Sequence, residues 1–215
     1  MHPSRIRLGI AMLACAALLL GCADVPATGP TPPEFNAEFR FLHAATDLAS
    51  VQVAVDGIQQ GTLAFAGELA HKQFPAGSRE VALSNGEKQF VAMSTNLRGT
   101  VVLLPAAAGA PREFFRLTER RLFDSPQRVL RVANFNPALE AQVTVTAGAD
   151  TVLATRLAYK AVTNYINVAA GDYTMEVKAA GGNTVLATSA LSISASHTSI
   201  ILGDANATTI KSVTD

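Results

Sequence analysis

The chain has 215 residues, with 17 Lys or Arg balancing 17 Asp or Glu, so its formal charge at neutral pH is zero. Such a balance supplies no broad field to gather nucleic acid or anionic lipid, and no nucleic-acid partner is expected. Hydrophobic residues make up 49% and charged ones only 16%, enough for an ordinary core, which without Trp must rest on Val, Leu, Ile and Phe.

The first elements in chain order belong to export. Residues 1–7 carry Arg5 and Arg7 and no acid, and residues 8–20 are an uncharged apolar run. The run is shorter than the ~20 residues a helix needs to cross a hydrocarbon core. A basic start followed by a short apolar core is the pattern of a cleaved signal peptide. A buried helix of the folded part would need a polar face, which this run lacks. Its end, Leu19-Leu20-Gly21-Cys22, resembles the lipobox of bacterial lipoproteins. The resemblance implies cleavage between Gly21 and Cys22, a diacylglyceryl group on the Cys22 thiol and an acyl chain (palmitate-like) on the new amine. Two or more chains hold firmly where one binds marginally, at about 0.8 kcal/mol per buried CH₂. Ala23 follows the cysteine, where Asp resembles an inner-membrane retention signal. The expected address is therefore the cell envelope, lipid-anchored, with the outer membrane favoured.

Residues 1–21 are thus read as signal peptide. Cys15 leaves with it, so the mature chain has neither a disulfide nor a second thiol. Loss of Arg5 and Arg7 leaves 15 basic against 17 acidic residues, formally −2. Residues 22–37 read as a lipidated tether: Pro26, Pro30, Pro32 and Pro33 stand among small and polar neighbours. A stretch that buries nothing stays extended, at about 3.1 Å per residue where it is polyproline-like.

From Phe39 onward the hydrophobic period is two. Val51-Gln52-Val53-Ala54-Val55 stops at the turn pair Asp56-Gly57, and Arg79-Glu80-Val81-Ala82-Leu83 stops at Asn85-Gly86. Residues 142–146, 173–177 and 191–194 repeat the alternation. Val101-Val102-Leu103-Leu104 and Ile200-Ile201-Leu202 are continuous apolar runs, as expected of strands buried on both faces. Ala106 to Ala108 could begin a helix, but Gly109 and Pro111 break it. Short strands between Gly, Asn and Asp turns predict an all-β sandwich architecture.

The strands also occur twice. Arg40-Phe41-Leu42-His43-Ala44 corresponds to Arg131-Val132-Ala133-Asn134-Phe135, and Phe74-Pro75-Ala76-Gly77 to Val168-Ala169-Ala170-Gly171. Thr100-Val101-Val102-Leu103-Leu104 corresponds to Thr198-Ser199-Ile200-Ile201-Leu202. Three matches in one order argue for duplication of a β unit long enough to close its own core. The expected domains are two tandem sandwiches, residues 38–122 and 123–215; a single larger sandwich with shared strands is the rival.

Arg40-Phe-Leu-His-Ala-Ala-Thr-Asp47, then Val51-Gln-Val-Ala-Val-Asp-Gly57, the Phe74-to-Gly77 turn and Phe115-Arg116-Leu117-Thr118 resemble domain of unknown function 4397. The likeness runs through most of residues 39–213. Ala45-Thr46 stands where that family has Ser-Pro, Ala54 where an aromatic is common, and Asn134 where the first copy has His43. The resemblance implies immunoglobulin-like sandwiches on exported, often membrane-tethered bacterial proteins, and it brings no activity with it.

Chemistry-bearing residues are sparse. His43, His71 and His197 show none of the metal-ligand spacings, and no G-x-S-x-G or phosphate-binding loop is present. His43 is expected to bond backbone groups of the Ala44-to-Asp47 turn. His71 matches Tyr165 and is expected in aromatic packing or on a strand surface. Asp47, Asp56, Asp150 and Asp172 suit turns, and no D-x-D-x-D loop gathers them. No catalytic residue, metal or cofactor is expected. One segment concentrates charge and aromatic surface: Arg112, Arg116, Arg120, Arg121, Arg128 and Arg131 among Phe114, Phe115 and Phe123. Arg112, Arg116, Arg120 and Arg121 form a candidate patch for an anionic partner; the competing reading packs the Phe rings and pairs the arginines with nearby acids. The functional expectation is a lipid-anchored, non-enzymatic envelope protein of adhesion or binding type, its partner an envelope protein or polysaccharide. The alternative is a ligand-free spacer in an envelope complex.

Overall fold

The structure, a computed structural model, describes residues 35–119, 128–146 and 150–215, the side chains of 150–152 excepted. The signal peptide, Cys22, most of the tether and the expected boundary at 122/123 lie outside the described residues.

The period-two segments are strands, and the described residues contain no helix. The first repeat has β1 (Asn36–His43), β2 (Ser50–Val55), β3 (Ile58–Ala64), β4 (Glu68–Pro75), β5 (Gly77–Leu83), β6 (Lys88–Met93), β7 (Arg98–Leu103) and β8 (Phe114–Glu119). The second has β9 (Val129–Asn134), β10 (Ala141–Thr146), β11 (Asp150–Leu157), β12 (Ile166–Asn167), β13 (Gly171–Ala179), β14 (Val185–Ile193), β15 (His197–Gly203) and β16 (Thr208–Thr214). Asp56 (φ 49°) and Gly57 (φ 79°) both adopt the left-handed conformation that a tight β2–β3 hairpin demands. Gly77 and Gly171, matched in the sequence, each open a strand at positive φ (130° and 153°).

Each repeat builds two four-stranded sheets in the same order. The first has β4-β1-β7-β8 and β3-β2-β5-β6; the second has β12-β9-β15-β16 and β11-β10-β13-β14. No sheet mixes strands of the two repeats, so the shared-strand alternative falls and two tandem immunoglobulin-like sandwiches stand. In both copies the first strand pairs in parallel with the seventh: Arg40 lies opposite Thr100, and Arg131 opposite Thr198.

Strand alternation sends the two faces of the inner sheets into different cores. Phe39, Phe41, Val101 and Leu103 join Val53, Val81 and Met93 in the first sandwich. Leu130, Val132 and Ile201 join Val143, Met175 and Val177 in the second. The opposite faces meet each other: Leu42, Ala44, Val102, Leu104 and Leu117 pack with Ala133, Phe135, Ile200, Leu202 and Val213 in a third core. The continuous apolar runs at 101–104 and 200–202 are therefore buried on both faces, and residues Phe35–Asp215 form one compact unit.

The copies exchange volume at equivalent places. Phe39 lies opposite Gly99, where an added Cβ would come within 2.7 Å of the Phe39 ring; in the second repeat Leu130 lies opposite His197. Neither His197 ring nitrogen has a hydrogen-bond partner, and burial pushes the imidazole below its ordinary pKa.

Candidate functional site

The densest polar arrangement lies where the two inner sheets face each other, and it occurs twice. In the first repeat Arg40 Nε donates to Thr100 Oγ1 (2.8 Å), and Thr100 Oγ1 donates to Glu119 Oε1. In the second, Arg131 Nε donates to Thr198 Oγ1 (2.9 Å), which donates to Asp215 Oδ1 (2.7 Å). The second oxygen of each acid is held by an aromatic residue at matching positions: His71 Nε2 lies 2.9 Å from Glu119 Oε2, and Tyr165 Oη donates to Asp215 Oδ2 (2.7 Å). Arg98 Nη2 is 3.0 Å from His71 Nδ1, an arrangement satisfied when Nδ1 accepts and Nε2–H faces the acid. The guanidinium of Arg131 also stacks 4.4 Å over the Tyr165 ring.

Each arginine then crosses to the other repeat. Arg40 Nη1 donates to Thr214 O (2.9 Å), and Arg131 Nη2 donates to Thr118 O (2.6 Å). Thr118 and Thr214 are equivalent residues, each just before the acid of its own repeat. The reciprocal bonds define a pseudo-twofold axis between the sandwiches. Arg40 Nη2 also reaches Glu119 Oε1 (2.8 Å) and stands 3.7 Å from Asp215 Oδ1.

Burial sets the electrostatics. Burial pushes the Glu119 carboxyl up, but the His71 hydrogen bond, the Arg40 charge and Thr100 together hold it below the usual glutamate range. Burial also pushes Asp215 up, and its bonds from Thr198 and Tyr165 do not fully offset that, so it stays above the ordinary aspartate value. Charges this deep are tolerated only when paired and hydrogen-bonded. The expected surface or packing role for His71 is corrected accordingly: like its match Tyr165, it serves a buried acid.

His43 behaves as expected. Its Nδ1 accepts from Ala45 N (3.1 Å), and Asn134 Oδ1 accepts from Asn136 N (3.0 Å) in the same way. The His-to-Asn difference between copies thus preserves an acceptor two residues before the same turn amide. Burial, then the Arg112 charge, lowers the His43 pKa, which suits a neutral ring accepting through Nδ1.

The arginines of the candidate patch separate. Arg112 is buried and bidentate to Asp47 (2.9 and 2.7 Å), with further bonds to Glu87 (2.8 Å) and Leu104 O (2.7 Å). Its donors are engaged inside the protein, so the pairing alternative describes it, with partners far away in sequence. Arg116 is exposed on β8 and donates to Ala92 O (2.8 Å). Arg120 and Arg121, like Phe123, lie outside the described residues. Arg128 donates to Ser194 O (3.0 Å), and Arg131 belongs to the interface. Among the described residues no group of three or more His, Cys, Asp or Glu side chains could hold a metal ion. No described helix is long and apolar enough to cross a membrane.

No curated protein matches the chain. Among solved structures it is similar to the N-terminal domain of AlgF from P. aeruginosa at 18% identity and TM-score 0.30, covering 40% of this chain and 99% of that one. It is similar to the Bacillus anthracis TIE protein at 15% identity and TM-score 0.26, covering 81% of this chain and 34% of that one. A leucine-rich repeat protein from Bacteroides thetaiotaomicron matches at 13% identity and TM-score 0.21, covering 79% of this chain and 26% of that one. This chain thus spans about a third and a quarter of the last two. The second repeat, residues 128–215, matches the family model of the domain of unknown function DUF4397.

Proposed function

We propose that this protein is a lipid-anchored, non-enzymatic module of the bacterial cell envelope, whose two sandwiches act as one rigid binding or adhesion unit. The observation that carries the reading is the interface. The buried charges of the interface, Arg40, Glu119, Arg131 and Asp215, are bonded to one another, to threonines and across the pseudo-twofold, which is a structural use of groups that catalysis would leave free. Sandwiches of this kind bind through end loops and edge strands without a reactive residue. The signal-like N-terminus and the Gly21-Cys22 junction support export and lipidation, with the outer membrane as the address.

The test has two arms. Cys22→Ser should abolish radiolabelled palmitate incorporation and leave the uncleaved precursor or a soluble form cut elsewhere; a variant that labels and fractionates like wild type sinks the anchor. In-cell cross-linking of the tethered protein should then capture an envelope protein or polysaccharide. The spacer reading is favoured by the same rigid junction. It predicts cross-links confined to complex neighbours that persist when end-loop and edge-strand residues are changed, whereas binding predicts their loss.

A further inference from the structure

The pseudo-twofold relation pairs positions at one side of the interface with mates at the other, and one mismatched pair of mates leaves a gap. Lys160 is left-handed (φ 65°), its N donates to Asn134 O (2.7 Å), and Ala161 N donates to Ala158 O (3.0 Å). Ala66 is left-handed too (φ 59°), its N donates to His43 O (2.8 Å), and Gly67 N donates to Ala64 O (2.9 Å). Ala66 and Lys160 therefore occupy one turn in two copies, preceded by Phe65 and Tyr159. The Lys160 ammonium crosses to Glu113 of the other repeat and lies 5.2 Å from the Tyr159 ring centre. By strand register the mate of Glu113 is Thr209: Leu104 N donates to Glu113 O, and Leu202 lies opposite Thr209.

Where one side has Lys and Glu, the other has Ala and Thr, and there the structure has a cavity of about 290 Å³. Phe65, Leu48, Ala49 and Thr209 line it, with Thr46 and Asp204 as further polar lining. Asp204 Oδ1 accepts from Asn206 N (2.8 Å) and Ala207 N (3.1 Å), which fixes the carboxylate in its turn. Asp204 is the one charged residue of that lining. Lys211, two residues beyond Thr209, is directed to Glu68 (3.8 Å).

We propose that this cleft binds a lysine-like chain, an alkyl stem ending in a primary ammonium, in the place that Lys160 fills across the pseudo-twofold. The stem lies on Leu48, Ala49 and Phe65, and the ammonium meets the Phe65 face and the Asp204 carboxylate. The proposal gives the binding reading above a ligand chemistry and rests on it. A lysine side chain of a partner and a free alkylamine share that chemistry.

The probes are Nα-acetyl-lysine N-methylamide, its norleucine counterpart and n-butylamine, each titrated into the full chain and followed by backbone amide chemical shifts. Expected are saturable shifts at Phe65, Asp204 and Thr209 with the lysine probe, and at least tenfold weaker binding of the norleucine probe. Butylamine binding as well as the lysine probe points to free amines as a source; tighter lysine-probe binding points to a peptide. Ala66→Lys should weaken the lysine probe at least tenfold, because its own side chain takes the cleft in a conformation Lys160 already shows to be accessible. Asp204→Asn keeps the turn acceptor, removes the charge and should weaken binding at least fivefold, which decides the matter if Ala66→Lys does not fold. Absence of shifts at these residues, equal norleucine binding, or unchanged affinity in a folded Ala66→Lys or Asp204→Asn overturns the proposal. If it fails while in-cell cross-linking still captures a partner, the binding reading stands on another surface; if both fail, that reading goes too.

Discussion

Arg40→Met tests whether the buried relay holds the sandwiches together. Methionine keeps most of the aliphatic stem, so the packing loss is small, but three polar contacts go: Thr100 Oγ1 (2.8 Å), Thr214 O (2.9 Å) and Glu119 Oε1 (2.8 Å). The Glu119 side chain is fully buried, and breaking one partner of a buried pair costs about 3–5 kcal/mol. His71 and Thr100 still bond Glu119, which places the loss near the lower end, about 3 kcal/mol. For a unit of this size that lowers Tm by roughly 6–12 °C. Lys88→Met is the control, since Lys88 pairs with Glu80 while 63% exposed and should cost under about 1 kcal/mol. The assay is urea and thermal unfolding of both variants beside wild type. An Arg40→Met protein within about 1 kcal/mol of wild type, at unchanged denaturant slope, would refute the claim that the relay stabilises the interface.

Glu119→Gln should be most costly at neutral pH. The Glu119 carboxyl titrates lower in the folded protein, so its contribution is complete above the ordinary glutamate value of about 4.3 and is lost as pH falls through the folded value. The gap between variant and wild type in urea melts should therefore narrow below about pH 4.3, and a gap that widens there contradicts the assignment. Asp215→Asn should show the opposite trend, because a raised pKa favours the folded wild type at low pH and loses that advantage as pH rises. Arg112→Ala should cost about 2 kcal/mol, a figure discounted for the part-exposed Asp47 and Glu87, whereas Arg116→Ala should cost under about 1 kcal/mol. Equal melting of the two would place Arg112 back on the surface. A fragment of residues 128–215 should fold around its own core but uncover Ala133, Phe135, Ile200, Leu202 and Val213, and so self-associate through that face. A monomeric fragment as stable as the full chain, by sedimentation and thermal melting, contradicts the shared third core.

Much of the fold was readable along the chain because it is encoded locally. Alternating Val51, Val53 and Val55 face one core, Asp56-Gly57 turns the chain, and the paired motifs at 40–44 and 131–135 reveal the duplication. Even the doubly buried runs at 101–104 and 200–202 announced that something covers both faces of β7 and β15. What that cover is could not be read there, since a strand pattern reports burial without naming the partner. The same limit applied to the charges. Arg112 stood among arginines and acids of its own segment, yet its carboxylates come from Asp47 and Glu87, in the connections before β2 and β6. Arg40, Thr100, His71 and Glu119 are scattered through the first repeat and make no motif, and only strand register brings them into one relay. The sequence by itself determined the strands and turns, because these depend on neighbours one to four residues apart, and the repeat, because each copy carries the same local pattern. The tertiary structure decided which sheets meet, which acids lie buried and where the pseudo-twofold leaves a gap, because those depend on packing between residues far apart in sequence, such as Arg40 and Thr214, 174 positions apart.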